Sequence, residues 1–172
     1  YCNVTISGAY VVTNKNTGTV TISGTLNGTD AASEWVNSTG TSLVYNNATQ
    51  PMATGLLTAS ANPNTVTYNL NAAQSVKGTT YHNLTVSNGN TKTLAGNTSI
   101  NNALTIATGT TLQSSTFNLT SSGTTSITGT LNDNSATGTN LLAGAVTINA
   151  GGTWTTTNNP SFTFRGGITN AG

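Results

Sequence analysis

Charge is almost missing from this chain. Its four Lys and Arg and three Asp and Glu make up 4% of 172 residues, against about 25% in an ordinary globular domain. The formal net charge is +1, so the chain has no basic face for nucleic acid and no acidic tail. Cysteine occurs once, at Cys2. A single thiol cannot staple the chain to itself, and it reads as inert or as having its partner elsewhere. Histidine occurs once, at His82, on a stretch where it points outward opposite Leu84. With no second His or Cys close by, no zinc site is expected. No apolar run approaches the roughly 18 residues of a membrane-spanning helix, so no membrane insertion is expected. No window keeps apolar residues at i, i+3, i+4 and i+7, which leaves at most one short helical turn over 71–77.

The acids are too few and too scattered for the chemistry of a hydrolase. Asp30 and Asp133 fall about five repeats apart, roughly 24 Å at the spacing of stacked strands. A glycosidase carboxylate pair needs roughly 5 to 9.5 Å. Asp30 and Glu34 are closer but sit in a Gly/Ser/Thr-rich stretch and read as solvated loop acids. Lys15, Lys77, Lys92 and Arg165 are scattered, and a polysaccharide-cleaving enzyme is the weakest reading. No catalytic, cofactor or metal residue is assigned. The calcium-binding phrase G-G-x-G-x-D is absent, and the acids are too few for a ladder of calcium sites.

What fills the chain is Thr, Asn, Ser and 19 Gly, with short runs in which Val, Ile, Leu or Tyr alternates with Thr or Ser. Alternation of this kind is a strand signal. Val20, Ile22 and Leu26 point one way and Thr19, Thr21, Ser23 and Thr25 the other. Asn27-Gly28 and Asn88-Gly89 read as turns. Pro51 and Pro63 mark a longer excursion, because proline cannot donate to a strand ladder.

Two phrases recur. Residues 103–112 (ALTIATGTTL) return at 145–154 (AVTINAGGTW), so that Leu104 meets Val146, Ile106 meets Ile148, and Leu112 meets Trp154. Residues 20–27 (VTISGTLN) return at 125–132 (TSITGTLN), bringing Ile22 onto Ile127. The offsets are two and five multiples of about 21, a period that marks stacked structural repeats. Steps of 21 from Ile22 land on Leu43, Asn64, Thr85, Ile106, Ile127, Ile148 and Thr169, with Val66, Val86 and Ile168 beside the three misses.

One such unit has too little apolar surface to fold alone, whereas a stack buries a continuous column. The expected fold is therefore all-β, a right-handed parallel β-helix or β-solenoid with coils of about 21 residues. Its axial core is Ile22, Leu104, Ile106, Ile127, Val146 and Ile148, and about eight coils make a rod on the order of 40 Å long. Trp154 should face in. The whole of 1–172 reads as one solenoid segment, less regular over 1–80 with a longer loop around 30–64, and regular over 81–172. A β-sandwich of antiparallel strands is the competing fold, but it has no reason to repeat at 21. The chain reads as part of a larger repeat protein.

The stretch YHNLTVSNGNTKTLAGNTSINNALTIATGTTL (81–112) resembles the β-strand repeats of large secreted surface proteins of Bacteroidetes-type bacteria. These carry Y-x-N-L-T-x-S-x-G-x-T-K-T-L-x-G-N ahead of I-x-x-x-L-T-I-x-x-G-T-T-L. Residues 125–172 are similar to a second block of the same proteins. The resemblance implies an extracellular, cell-surface adhesin or fibre-forming stalk.

Three functional expectations follow. The first is a structural stalk or filament subunit that stacks head to tail on itself or on flanking repeats. The second is a glycan-binding module in which Trp35 and Tyr45 stack on surface sugars, against the plainer reading that these rings pack inside. The third is an ice-binding face built from Thr-x-Thr pairs (Thr19/Thr21, Thr65/Thr67, Thr91/Thr93, Thr155/Thr157). It is set aside because the four pairs do not share one phase of the 21-residue period.

Overall fold

The computed structural model describes residues 1–171. They form 21 short strands and no helix. The first coil carries β1 (Val4–Ile6), β2 (Val11–Asn14) and β3 (Thr19–Ile22), and the second β4 (Leu26–Gly28), β5 (Glu34–Asn37) and β6 (Thr41–Tyr45). The third has β7 (Leu56–Thr58) and β8 (Asn64–Tyr68), the fourth β9 (Gln74–Val76) and β10 (Thr80–Val86), and the fifth β11 (Asn90–Leu94) and β12 (Thr98–Ile106). The sixth has β13 (Thr110–Gln113), β14 (Leu119–Ser121) and β15 (Thr124–Ile127). The seventh has β16 (Thr130–Asp133), β17 (Thr139–Leu142) and β18 (Val146–Ile148), and the eighth β19 (Thr153–Thr156), β20 (Ser161–Phe164) and β21 (Ile168–Asn170).

Every pairing is parallel and joins one coil to the next. The stack is a three-faced β-solenoid. Face 1 runs through β1 and β4, then β9, β11, β13, β16 and β19. In the third coil residues 47–54 take its place, where Met52 N donates to Leu26 O and Ser75 N to Ala48 O. Face 2 runs through β2, β5 and β7, passes by the Ala59–Tyr81 bridge into the start of β10, then follows β12, β14, β17 and β20. Face 3 takes β3, β6, β8, the ends of β10 and β12, then β15, β18 and β21. Antiparallel sandwich pairing is absent among the described residues.

The register of face 3 shows what holds the stack together. One inward column reads Val20–Leu43–Val66–Leu84–Leu104–Thr125–Val146–Ile168, and the next Ile22–Tyr45–Tyr68–Val86–Ile106–Ile127–Ile148–Asn170. All six residues expected in the axial core lie in these columns. Ile22, Leu104, Ile106 and Ile127 have no exposed surface, Val146 has 1%, and Ile148 is half-buried. Thr125 is a polar insertion, and its hydroxyl donates to Ser121 Oγ at 3.1 Å.

The steps along the Val20 column are 23, 23, 18, 20, 21, 21 and 22 residues. A rigid count of 21 therefore goes out of phase early. Ile22 stacks on Tyr45, not on the Leu43 that the count selects. The long and short steps cancel by the sixth coil, so the phrase at 20–27 still falls on the one at 125–132. The stretch 30–64 also differs from its reading as a loose loop, since it holds β5, β6, β7 and the start of β8. Its longest stretch outside a strand is 46–55. Residues 71–77 hold β9 rather than a helical turn. Asn27-Gly28 lies within β4, not in a turn. Its glycine is required because a Cβ would come 2.4 Å from Ser33 Cβ. Asn88-Gly89 is the turn its sequence suggests, with φ of 63° and 71°.

Close approach of successive backbones fixes a second glycine. A Cβ on Gly144 would lie 2.0 Å from Gly123 O in the coil above, whereas one on Gly18 meets nothing nearer than 3.4 Å. Gly144→Ala is expected to lower the melting temperature sharply and Gly18→Ala to leave it nearly unchanged. Leu104→Ala, at a site with no exposure, should cost about 2 to 5 kcal/mol in urea unfolding.

Candidate functional site

The two aromatics expected to meet sugars are inside the rod. Trp35 is 6% exposed and Tyr45 0%, so neither presents a ring face to solvent. Tyr45 starts a stack with Tyr68 and Tyr81, edge to face with centroids 6.3 and 6.4 Å apart. The Tyr68 and Tyr81 hydroxyls are 2.8 Å apart, Tyr81 Oη donates to Lys77 O at 2.7 Å, and Lys77 N donates to Tyr68 Oη at 3.0 Å. Alternation alone did not place Tyr45, because β6 carries the apolar Val44 outward beside the inward Leu43 and Tyr45.

The acids are also committed to the fold. Asp30 accepts from Ala32 N at 2.8 Å, and Glu34 Oε1 accepts from the Thr58 hydroxyl at 2.5 Å. Asp133 is 1% exposed. It accepts from Ser114 Oγ at 2.5 Å, from Ser135 N at 3.1 Å and from Asn140 Nδ2. Three donors satisfy a buried carboxylate with no cation beside it. Among the described residues no three His, Cys, Asp or Glu gather as a metal would need. His82 is half-buried beside the register shift between Tyr81 and Asn83, and Cys2 is exposed and free.

Two lysines do unexpected structural work. Lys92 occupies an inward position with no exposure, and its ammonium donates to Leu70 O and, at 3.0 Å, to Ala72 O. Lys77 Nζ donates to Met52 O at 2.5 Å and Gly55 O at 3.2 Å. Both ammoniums hold carbonyls of irregular corners that would otherwise lack donors. Burial pulls both below the ordinary lysine value of 10.5. Nothing in the sequence distinguishes these lysines from solvated ones except that Lys92 falls on an inward phase of its strand.

The ends carry the clearest exposed apolar surface. Phe164 lies beneath Leu142 and Ile168 beneath Val146, both in inward columns, and in the last described coil they are 37% and 50% exposed. Trp154 does face in, beneath Leu131. Its ring meets Phe162 and Phe164 at centroid distances of 4.7 and 4.9 Å, and this aromatic floor closes the eighth coil. At the other end, Val12 stands over Trp35 and is 38% exposed. There a recess of about 330 Å³ is lined by residues that include Tyr1, Val4, Asn14, Lys15, Val20 and Trp35.

Two faces carry aligned hydroxyls. On face 3, Thr19/Thr21 and Thr65/Thr67 share the same two outward columns. On face 1, Thr91, Thr111, Thr130 and Thr153 form one column. The phase argument against a regular threonine face fails, because the coils that break the 21-residue count carry the outward residues along with the inward ones. Thr155/Thr157 alone stays out of step, its place being taken by Thr153/Thr155.

No family model matches the chain, and no curated protein and no solved structure matches it. What defines it is its own geometry, a β-solenoid repeat of eight coils.

The tyrosine stack predicts the alkaline limit of stability. Burial pushes Tyr45, Tyr68 and Tyr81 above the ordinary 10.0. The stability this represents is complete below pH 10.0. It is lost above it, where the unfolded chain releases phenolic protons that the fold retains. Lys77 and Lys92 act in the opposite sense, adding stability as pH rises toward 10.5, where the unfolded chain gives up protons the fold holds less tightly. The midpoint of urea unfolding should therefore hold or rise slightly up to about pH 10 and fall beyond it. Tyr81→Phe should flatten that fall, and a midpoint still level at pH 12 would contradict the account.

Proposed function

We propose that this chain is a segment of an extracellular β-solenoid stalk or filament that acts in adhesion or fibre formation through axial stacking of coils. One observation carries the reading: every strand pairing joins one coil to the next and the inward columns run through all eight described coils, so each coil is shaped to be covered by another of the same cross-section. Unpaired edges are templates for further strands, and natural solenoids cover them with caps. The first and last described coils still carry apolar side chains in their columns, Val12, Phe164 and Ile168. Another coil of the same cross-section, from flanking repeats or from a second copy, covers them at no cost in new surface. Repeated head to tail, such contacts give an open filament. The resemblance of 81–112 and 125–172 to repeats of secreted Bacteroidetes-type surface proteins supports the extracellular setting and the adhesin role.

Sedimentation and negative-stain microscopy of the purified chain test this. The expected result is concentration-dependent linear assemblies with an axial repeat near 40 Å, about eight strand spacings. Phe164→Asp with Ile168→Asp should leave single rods with the same circular dichroism. Single rods from the unmodified chain at high concentration would sink the reading.

A further inference from the structure

We propose that the outer surface of face 3 is an ice-binding face. Its central outward column is Thr21–Val44–Thr67–Thr85–Thr105–Ser126–Thr147–Thr169. Six of the eight positions are threonine, one is serine, and the exception is valine, which is isosteric with threonine. The column beside it reads Thr19–Ser42–Thr65–Asn83–Ala103–Thr124. On the other side run Asn46, Asn69, Ser87, Ala107, Thr128 and Asn149, each bonded through its amide to the strand of the coil above. No position in these columns carries a charge or a ring. The other faces differ: face 2 displays Val11, Glu34 and Leu56 in a single column, and on face 1 outward Thr5 is followed by Asn27, with an unbroken threonine column only from the fifth coil on.

The array is two-dimensional. Hydroxyls repeat along the axis at the strand spacing of about 4.8 Å, and across it at two residues of strand, about 6.6 Å. Both distances are close to repeats between water oxygens on the prism faces of hexagonal ice. The tyrosine stack and the inward columns beneath tie the eight strands in one register, which opposes the twist an open sheet would take.

A second observation concerns the hydroxyls of this column, which the fold leaves unused, as it does those of Thr91, Thr111, Thr130 and Thr153 on face 1. The hydroxyls of Thr21, Thr67, Thr85, Thr105 and Thr147 bond no protein atom. Elsewhere the hydroxyls of Thr25, Thr41, Thr58, Thr79, Thr98 and Thr125 donate to or share bonds with the protein. The central column therefore holds hydroxyl groups free for water, each beside a methyl group and half-buried between its neighbours. Half-burial restricts the rotamers of each threonine, so water meets fixed groups at fixed intervals. A surface of this kind orders a water layer in the pattern of the crystal, and adsorption then follows by freezing that layer to the lattice.

The test is nanolitre osmometry with single ice crystals in a solution of the purified chain. The expected result is faceted crystals and a gap between melting and growth temperatures that rises with protein concentration. Thr67→Tyr with Thr105→Tyr should cut that gap several-fold while circular dichroism and melting temperature stay near those of the unmodified chain. Thr111→Tyr with Thr130→Tyr, on face 1, should leave it intact. Round, unshaped crystals with the unmodified chain at millimolar concentration overturn the proposal without reference to any variant. Equal loss from the face 1 pair overturns the assignment to face 3. Binding to crystalline cellulose without ice shaping would overturn it in favour of a polysaccharide surface.

Discussion

Along the axis, an inward side chain of this molecule is covered only by the coil above and the coil below. That constraint governs the rest. A coil of about 21 residues cannot enclose its own apolar groups, so its stability comes from neighbours, and order propagates along the axis. It also explains the scarcity of charge. Positions one coil apart are about 4.8 Å apart, and like charges at such a distance oppose the stack. The charges that do enter the interior stand alone in their columns. Lys92 lies between Gln74 and Leu112, and Asp133 lies over Thr156. Each meets neutral neighbours along the axis and bonds at a corner to groups of the preceding coil, Lys92 to the Leu70 and Ala72 carbonyls and Asp133 to the Ser114 hydroxyl.

Corners are where the structure absorbs variation. The step between coils ranges from 18 to 23 residues on face 3, yet the strands themselves remain in register. Extra or missing residues are taken up between faces, and their carbonyls and amides need partners once buried. Asn14, Asn37 and Asn64 supply them at one corner. Asn14 Nδ2 donates to Asn37 Oδ1 at 2.8 Å, and Asn64 Nδ2 to Asn37 O at 2.9 Å. Gln74 does the same for Tyr45 O and Asn47 O, at 2.8 and 2.9 Å. These polar side chains in the core are thus tied to irregular backbone and, in the case of Asn14 and Asn37, to one another.

The legible part of the fold was the part with constant step. Leu104 and Val146, and Ile106 and Ile148, recur at a spacing the backbone keeps, and their inward placement could be read directly, whereas Leu112 and Trp154 coincide because steps of 19 and 23 residues compensate. In the first four coils the step changes from 23 to 18, and counting by 21 slides from an inward to an outward phase. A one-residue slip moves a strand's side chains to the opposite face. This is why Tyr45 and Trp35 could be taken for surface rings, and why four threonine pairs looked scattered when two of them are in line. Lys77, Lys92 and Asp133 were unreadable for another reason. Their roles depend on which carbonyl or hydroxyl lies across a corner, and that partner is set by stacking between coils 19 to 25 residues apart.

Register alone does not make a uniform surface. The inward columns force successive strands into alignment, so every outward residue acquires a neighbour one coil away whatever its type. On face 2 the alignment brings together Val11, Glu34 and Leu56, three side chains with nothing in common. On face 3 the same alignment brings together Thr67, Thr85 and Thr105, and it keeps a β-branched or hydroxyl side chain at all eight levels. The core cannot tell threonine from serine, asparagine or lysine at a position that faces solvent. Uniformity that runs through all eight levels on face 3, and through only four on face 1, is therefore a property of the outward residues themselves. It points to contact with something that repeats at the pitch of the coils, which a flexible or irregular partner does not.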